Sequence, residues 1–364
     1  MGLKIGIVGL PNVGKSTMFN ALTKAGAAVA NYPFCTIDPN VGIVPVPDER
    51  LQKLAEMYKP EKVTPTTIEF VDIAGLVKGA STGEGLGNQF LGHIKEVDAV
   101  LHVVRCFEDP NIVHVSGKVD PVGDVEIIQT ELCLKDLETV SARVRKLEKN
   151  SKSGDKDAQL ALSVAQKASK ILEAGTPIRK GEWTKEEFPT LRELQLVTQK
   201  PVLYGANVLE TELPAGGPLV DPLRRLAKEE GSQVVVICGK VEAEVAELSD
   251  EEAKVYLKEF GLEESGLHQL IRLGYQLLGL ITFLTAGPTE VRAWTVKKSS
   301  TAPQAAGVIH SDFERGFIRA EVMAYDDLIK YGTQQAVKEK GLYRLEGKEY
   351  IMQDGDVVYF RFNV

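Results

Sequence analysis

The residues Gly9-Leu-Pro-Asn-Val-Gly14-Lys15-Ser16 have the spacing G-x-x-x-x-G-K-S. In that pattern the glycines let main-chain N–H groups curl around phosphate oxygens, the lysine ammonium reaches the terminal phosphates, and the serine hydroxyl can ligate Mg²⁺. Asn12, Val13, Gly14, Lys15, Ser16 and Thr17 are therefore the candidate phosphate contacts, and Lys15 is also a candidate catalytic residue through charge neutralisation. Phosphoryl transfer of this kind needs a further carboxylate on the metal side, at the end of another buried strand. Asp72, closing the run Thr67-Ile-Glu-Phe-Val-Asp72, supplies one that could hold a metal-bound water, and the N–H of Gly75 could meet a γ-phosphate. Thr36 offers a second hydroxyl, so the expected metal set is Ser16, Thr36 and Asp72. Gly79, Gly83, Gly85 and Gly87 crowd into nine residues, a density suited to a mobile switch.

Base recognition is expected after a later strand. Guanine is usually read by N-K-x-D, whose Asp accepts two hydrogen bonds from N1–H and N2–H₂. Here Val202-Leu-Tyr-Gly-Ala206 leads into Asn207-Val-Leu-Glu210, so the Lys is lost and the Asp has become a longer Glu. Asn207, Val208 and Glu210 are the candidate base contacts, and the altered motif weakens guanine without itself establishing adenine. Cys238-Gly-Lys240 follows the next apolar run, Gln233 to Ile237, as a second base-side loop. Leu76 stands where a water-positioning glutamine is common after D-x-x-G. Hydrolysis is then either slow until a partner supplies a group, or served by a polar residue elsewhere.

These groups need strands to carry them. Leu3 to Val8 is an apolar run of the kind a central parallel strand shows, and the segment from Thr17 to Lys24 continues as a helix whose positive end faces the anion. Between Asp124 and Lys200, Cys133, Leu137, Val140, Val144 and Leu147, then Ala161, Ala165, Ala168 and Leu172, recur at spacings of three and four. That predicts a helical hairpin with its tip at Asn150 to Asp155. Arg143, Arg145, Lys146, Lys149, Lys152 and Lys156 crowd the tip, either as a solvated face or as an RNA phosphate contact. Helices are expected at Glu251–Phe260 and Gly266–Leu278. Beyond Gly279, strands at Ile281–Leu284, Val291–Val296, Arg319–Tyr325 and Val357–Phe362 with a helix near Pro303 suggest a β-grasp unit, in which Trp294 and His310 are core or interface residues.

The whole sequence of 364 residues carries a formal net charge of −8, against coating of DNA or RNA through bulk charge. No apolar run reaches the ~18 residues of a membrane span, and no signal-peptide layout opens the chain, which points to the cytoplasm. Four cysteines, Cys35, Cys106, Cys133 and Cys238, form no C-x-x-C pair, so reduced thiols are expected; Cys35, beside Thr36, is a candidate redox-sensitive position.

The segments GIVGLPNVGKST, NYPFCTIDPN, DIAGLVKGASTGEGLGNQF, VVRCFED, HVSGKVDP, the NVLE variant and RAWTVKKSSTAPQAAGVIHSDFERGFIRAEV together resemble the YchF family, the Obg-like ATPases of the translation-factor branch of GTPases. The likeness runs over essentially the whole chain. It implies an α/β P-loop G domain (residues 1–123 and 199–277) with an inserted helical coiled-coil hairpin (124–198) and a C-terminal β-grasp domain of the TGS type (278–364). It further implies hydrolysis of ATP in preference to GTP with Mg²⁺, and nucleotide-dependent association with the ribosome in the regulation of translation or stress. The resemblance points to His114 as the residue that positions or deprotonates the attacking water; by its neighbours alone, His114 reads first as a packed or surface imidazole. The Asn12 amide oxygen is a candidate ligand for K⁺ near the phosphates, against the plainer reading of a loop-stabilising hydrogen bond. Two other readings stay open: a GTPase of ribosome assembly with Glu210 reading guanine, and a translation-associated scaffold whose bound nucleotide is structural.

Overall fold

The computed structural model describes residues 3–26, 40–73, 96–150 and 155–363. Thr36, Gly75, Cys35, Leu76 and the glycine-rich stretch after them lie outside the described residues. In chain order the strands are β1 (Lys4–Val8), β2 (Val41–Pro45), β3 (Lys62–Thr64), β4 (Thr67–Asp72), β5 (Ala99–Arg105), β6 (Val202–Asn207), β7 (Gln233–Ile237), β8 (Leu280–Ala286), β9 (Glu290–Lys297), β10 (Phe317–Ala324), β11 (Arg344–Glu346) and β12 (Asp356–Phe362). The helices used below are α1 (Lys15–Gly26), α2 (Glu49–Tyr58), α3 (Pro121–Asn150), α4 (Lys156–Glu173), α5 (Val220–Glu229), α6 (Gly239–Val245), α7 (Gly266–Leu277) and α8 (Ala302–Ile309). Two compact units result, Met1–Val44 with Glu69–Leu270, and Pro45–Ile68 with Ile271–Val364.

The first unit is built on the sheet β2-β4-β1-β5-β6-β7. β1 pairs in parallel with β4 on one side and β5 on the other, and β5, β6 and β7 continue in parallel. Every residue of β5 and β6 is buried. Parallel strands covered on both faces read as continuous apolar runs for this reason. The register aligns Arg105 with Asn207 and Asn207 with Ile237, so the carboxyl ends of three neighbouring strands reach one edge, the edge where open α/β sheets bind ligands.

The insert is the expected hairpin. On α3, Cys133, Leu137, Val140 and Val144 pack against Val164, Ala168 and Leu172 of α4, as the heptad-like spacing requires. The return of the chain completes this core with Ile178, Trp183, Leu191, Leu194 and Leu196, which the two-helix reading did not place. Two buried carboxylates fasten that return. Asp136 accepts from the N–H groups of Val197 and Thr198 at 3.0 and 2.7 Å and from the Thr198 hydroxyl at 2.6 Å. Glu230, just past α5, accepts from the Tyr204 hydroxyl at 2.7 Å and pairs with Lys180 at 2.8 Å and Arg179 at 3.3 Å.

The second unit carries the sheet β11-β10-β12-β8-β9-β3. β8 and β9 form an antiparallel hairpin, β12 joins β8 in parallel through Val357 and Leu284, and β10 runs antiparallel to β12. This is the β-grasp arrangement. On one face Ala302, Ala305 and Ala306 of α8 pack on Phe283, Val296, Phe317 and Phe360. On the other, Leu51 and Leu54 of α2 pack on Leu284, Val291, Ala293 and Met323, and β3 pairs with β9. Residues 45–68 thus differ from the expected boundary, which assigned them to the first domain. The apolar stripe of α2 is amphipathic whichever sheet it covers, and its partners lie more than two hundred residues away, so local periodicity cannot name them. Trp294 packs at the core edge and stacks on Phe283, whereas the His310 side chain is 59% exposed. His310 is a helix cap, accepting the Asp312 N–H at 3.2 Å, rather than a core residue.

Candidate nucleotide site

The phosphate loop leaves β1 and enters α1. Gly14 has φ of 100°, and a Cβ there would stand 2.4 Å from Nδ2 of Asn207, so the position admits glycine alone. That close approach is the outcome of a clamp. Nδ2 of Asn207 donates to the Val13 carbonyl at 2.9 Å, and its Oδ1 accepts the Gly239 N–H at 3.0 Å. The sequence reading sets Asn207 against the base; the structure occupies both ends of its amide with main chain, joining the phosphate loop to the second base-side loop. Val13 likewise buries its side chain and serves through its carbonyl.

Lys15 donates to the Leu10 carbonyl of its own loop at 2.6 Å. Burial pushes its pKa down, and the carboxylate of Asp72 opposes that shift. Asp72 feels the converse, raised by burial and pulled back by Lys15. Its Oδ1 is buried with no hydrogen-bond partner among the described residues, an expensive condition for a carboxylate oxygen. A cation or a cation-bound water would remove that cost. Ser16, next to Lys15 in the loop, carries a hydroxyl of the kind such a cation takes.

A cleft of about 940 Å³ extends from this loop. Asn12, Gly14, Lys15, Ser16 and Thr17 form its phosphate end, and Asn207, Val208, Glu210, Cys238, Gly239 and Lys240 its base end. Nζ of Lys240 lies 2.8 Å from Oε2 of Glu210, so the carboxylate of the altered base motif is already paired. Burial raises the thiol pKa of Cys238. A third wall was not anticipated: Phe107, Asp109 and Ile112, from the loop after β5. Arg105 holds that loop. Its side chain is buried and donates to the carbonyls of Phe107, Ile112 and Asp109 at 3.1, 3.0 and 3.2 Å. The sequence signal for it is an arginine ending a fully buried strand, a position where only saturated hydrogen bonding makes the charge tolerable.

His114 lies two residues past Ile112, on the same loop. Its Nε2 is 2.9 Å from Oδ2 of Asp124, and its Nδ1 accepts the Ser116 N–H at 3.2 Å. The loop touches the phosphate end through Asn12, whose Nδ2 donates to the Val113 carbonyl at 3.2 Å. Among the described residues no cluster of three or more His, Cys, Asp or Glu side chains is placed to hold a metal, and no helix is long and apolar enough to cross a membrane. Cys106, Cys133 and Cys238 are buried and unbridged.

A G-x-x-x-x-G-K-S loop between a central parallel strand and a helix, with a strand-end carboxylate and two base-side loops on the same edge, defines a P-loop nucleoside triphosphatase of the G-domain class. A family model described as a 50S ribosome-binding GTPase matches residues 4–169, and YchF-GTPase_C, described as a protein of unknown function, matches residues 280–363. The chain is 58% identical to the Ribosome-binding ATPase YchF of Bacillus subtilis and 56% identical to that of Escherichia coli O157:H7, in each case over the full length of both chains. A solved structure, that of the Schizosaccharomyces pombe YchF GTPase, superposes with a TM-score of 0.88 at 42% identity, covering 99% of this chain and 98% of that one. The chain belongs to the YchF family.

Proposed function

We propose that the protein hydrolyses ATP to ADP and phosphate and associates with ribosomes according to the nucleotide it holds. The relatives named ATPases carry the adenine reading, and the Glu210–Lys240 pair weighs against guanine: the carboxylate that would accept two hydrogen bonds from guanine is longer than the usual Asp and is engaged by an ammonium at 2.8 Å. The ribosome enters from the curated relatives, which are named ribosome-binding ATPases.

The residues divide the work by position. The loop N–H groups and Lys15 bind the phosphates, and Asn207 keeps the two loops at the spacing the nucleotide needs. Val208, Glu210 and the Cys238–Lys240 loop meet the base. Ser16, Thr36 and Asp72 would hold Mg²⁺, which when bound neutralises phosphate charge. Asn12 retains its amide oxygen for a monovalent cation such as K⁺, and Gly75 donates to the γ-phosphate. His114 positions the attacking water. Arg145, Lys146 and Lys149, near the end of α3, supply the RNA phosphate contact, with the β-grasp unit as a second docking element.

A preference for GTP is the second reading, because the S. pombe relative is titled a GTPase. Phosphate release measured with each nucleotide, beside ribosome co-sedimentation with ATP, with ADP and without nucleotide, tests the whole. Faster turnover of ATP and ribosome binding that changes with nucleotide are expected. Faster turnover of GTP, or equal pelleting in all three states, would overturn the corresponding half.

A further inference from the structure

We propose that Asp124 is a positioning residue for hydrolysis: it fixes the tautomer and ring orientation of His114, making Nδ1 the nitrogen available to the attacking water. This rests on the reading of His114 given above. The two side chains are 6% and 4% exposed, with Nε2 and Oδ2 2.9 Å apart. A carboxylate accepts, so Nε2 carries the proton and Nδ1 the lone pair. The Ser116 N–H, pointing at Nδ1 from 3.2 Å, fits that assignment.

The two contacts of the imidazole are unequal. The bond to Asp124 is charge-assisted and buried, and Asp124 stands on the first turn of a thirty-residue helix, where the positive end of the helix favours a carboxylate. Val125 and Ile128 seat that turn in the core, and the Asp124 N–H is itself bonded to the Asp120 carbonyl at 2.8 Å. Ser116, by contrast, is exposed on a tight turn closed by Gly117 N–H on the His114 carbonyl, and its bond is long and neutral. The Ser116 contact is therefore the one that yields when a water or phosphate oxygen competes for Nδ1. The backbone on the cleft side of His114 is also anchored, with the Ile112 carbonyl on Arg105 and the Val113 carbonyl on Asn12 of the phosphate loop. The ring itself is held by the helix through Asp124 and by the loop through the Ser116 N–H, and Asp124 is the group that decides which of its nitrogens works. No sequence signal linked the pair, since neither residue sits in a spaced motif with the other.

The test is steady-state ATP hydrolysis by Asp124→Asn, Asp124→Glu, His114→Ala and the double variant Asp124→Asn/His114→Ala. An amide at position 124 can donate to Nε2 and so favours the other tautomer. Asp124→Asn should lose roughly tenfold or more in kcat with KM within about twofold, Asp124→Glu should recover part of the loss, and the double variant should be no slower than His114→Ala. A parental kcat in Asp124→Asn, a kcat above it, or a double variant slower than His114→Ala would each overturn the proposal. Should Asp124→Asn fold poorly, the ranking of Asp124→Glu below the parent in kcat at unchanged KM decides in its place. A parental rate in His114→Ala sinks the reading of His114 itself, which separates that failure from a failure of Asp124 alone.

Discussion

The nucleotide loop of the first unit and the sheet of the second treat their buried polar groups in opposite ways. In the first, Asp72 keeps a buried oxygen without a partner among the described residues, and Lys15 turns its ammonium onto its own loop. In the second, Glu321 takes Arg361 at 3.0 Å, Arg319 at 3.3 Å and the Tyr343 hydroxyl at 2.7 Å, while Asp356 takes the Tyr350 hydroxyl at 2.8 Å and Arg344 at 3.3 Å. The nucleotide loop leaves a buried carboxylate oxygen unpaired among the described residues, whereas Asp136 and Glu230 elsewhere in the first unit, like Glu321 and Asp356 in the second, are paired within the fold. The nucleotide chemistry therefore belongs to the phosphate loop and its strand-end carboxylate by electrostatics as well as by motif.

Three changes probe that contrast. The largest effect is expected from Asn207→Ala, which leaves the Val13 carbonyl and the Gly239 N–H without their bonds; at about 1–3 kcal/mol for each buried group, ATP affinity should fall by at least tenfold, read as a Kd. An unchanged Kd would show that the two loops are held without the clamp.

The next concerns Glu321, whose cation and hydroxyl partners hold its pKa down at about 2, with Arg361 the leading cause. A lowered pKa gives stability that is present above the ordinary carboxylate range and lost as pH falls toward 2. Between pH 5 and 2.5 the parent should lose about 2.5 kcal/mol through this group, and Glu321→Gln should flatten that part of the denaturation profile. A profile as steep in the variant would place the acid sensitivity elsewhere.

Glu242 supplies the smaller, opposite slope. It lies on α6 in the first unit and accepts the Gly266 N–H, at the start of α7, from 2.7 Å; burial raises its pKa to about 7 against the pull of its hydrogen bonds. A raised carboxylate pKa favours the folded state at low pH and withdraws that advantage as pH climbs through 7. Thermal denaturation should show the parent losing about 2 kcal/mol from pH 5 to 7 at this group, with Glu242→Gln insensitive over that range. Slopes of the same sign at Glu321 and Glu242 would erase the distinction between the units.

The parts of this architecture visible in the sequence are those set by local periodicity or fixed spacing. The apolar run before Gly9 is β1, Thr67 to Asp72 is β4 and Gln233 to Ile237 is β7, because buried parallel strands cannot hide their composition. The heptad spacing gave both hairpin helices for the same reason. The placement of α2, the Arg105-held wall and the His114–Asp124 pair were not legible. Each depends on a contact between elements whose partner is set by the fold, and a single arginine, aspartate or amphipathic turn has many destinations. Asn207 shows the intermediate case: its motif set it among the candidate base contacts, while its bonds in the structure, to Val13 and Gly239, follow from the register of β6 beside β7.

The central claim, that the cleft of the first unit closes around the triphosphate of an adenine nucleotide, is tested most directly by calorimetry on nucleotide-free protein in magnesium buffer. One ATP per chain is expected, bound more tightly than GTP, with the heat abolished in Lys15→Met. Tighter binding of GTP, or an ATP isotherm unaffected by Lys15→Met, would contradict it.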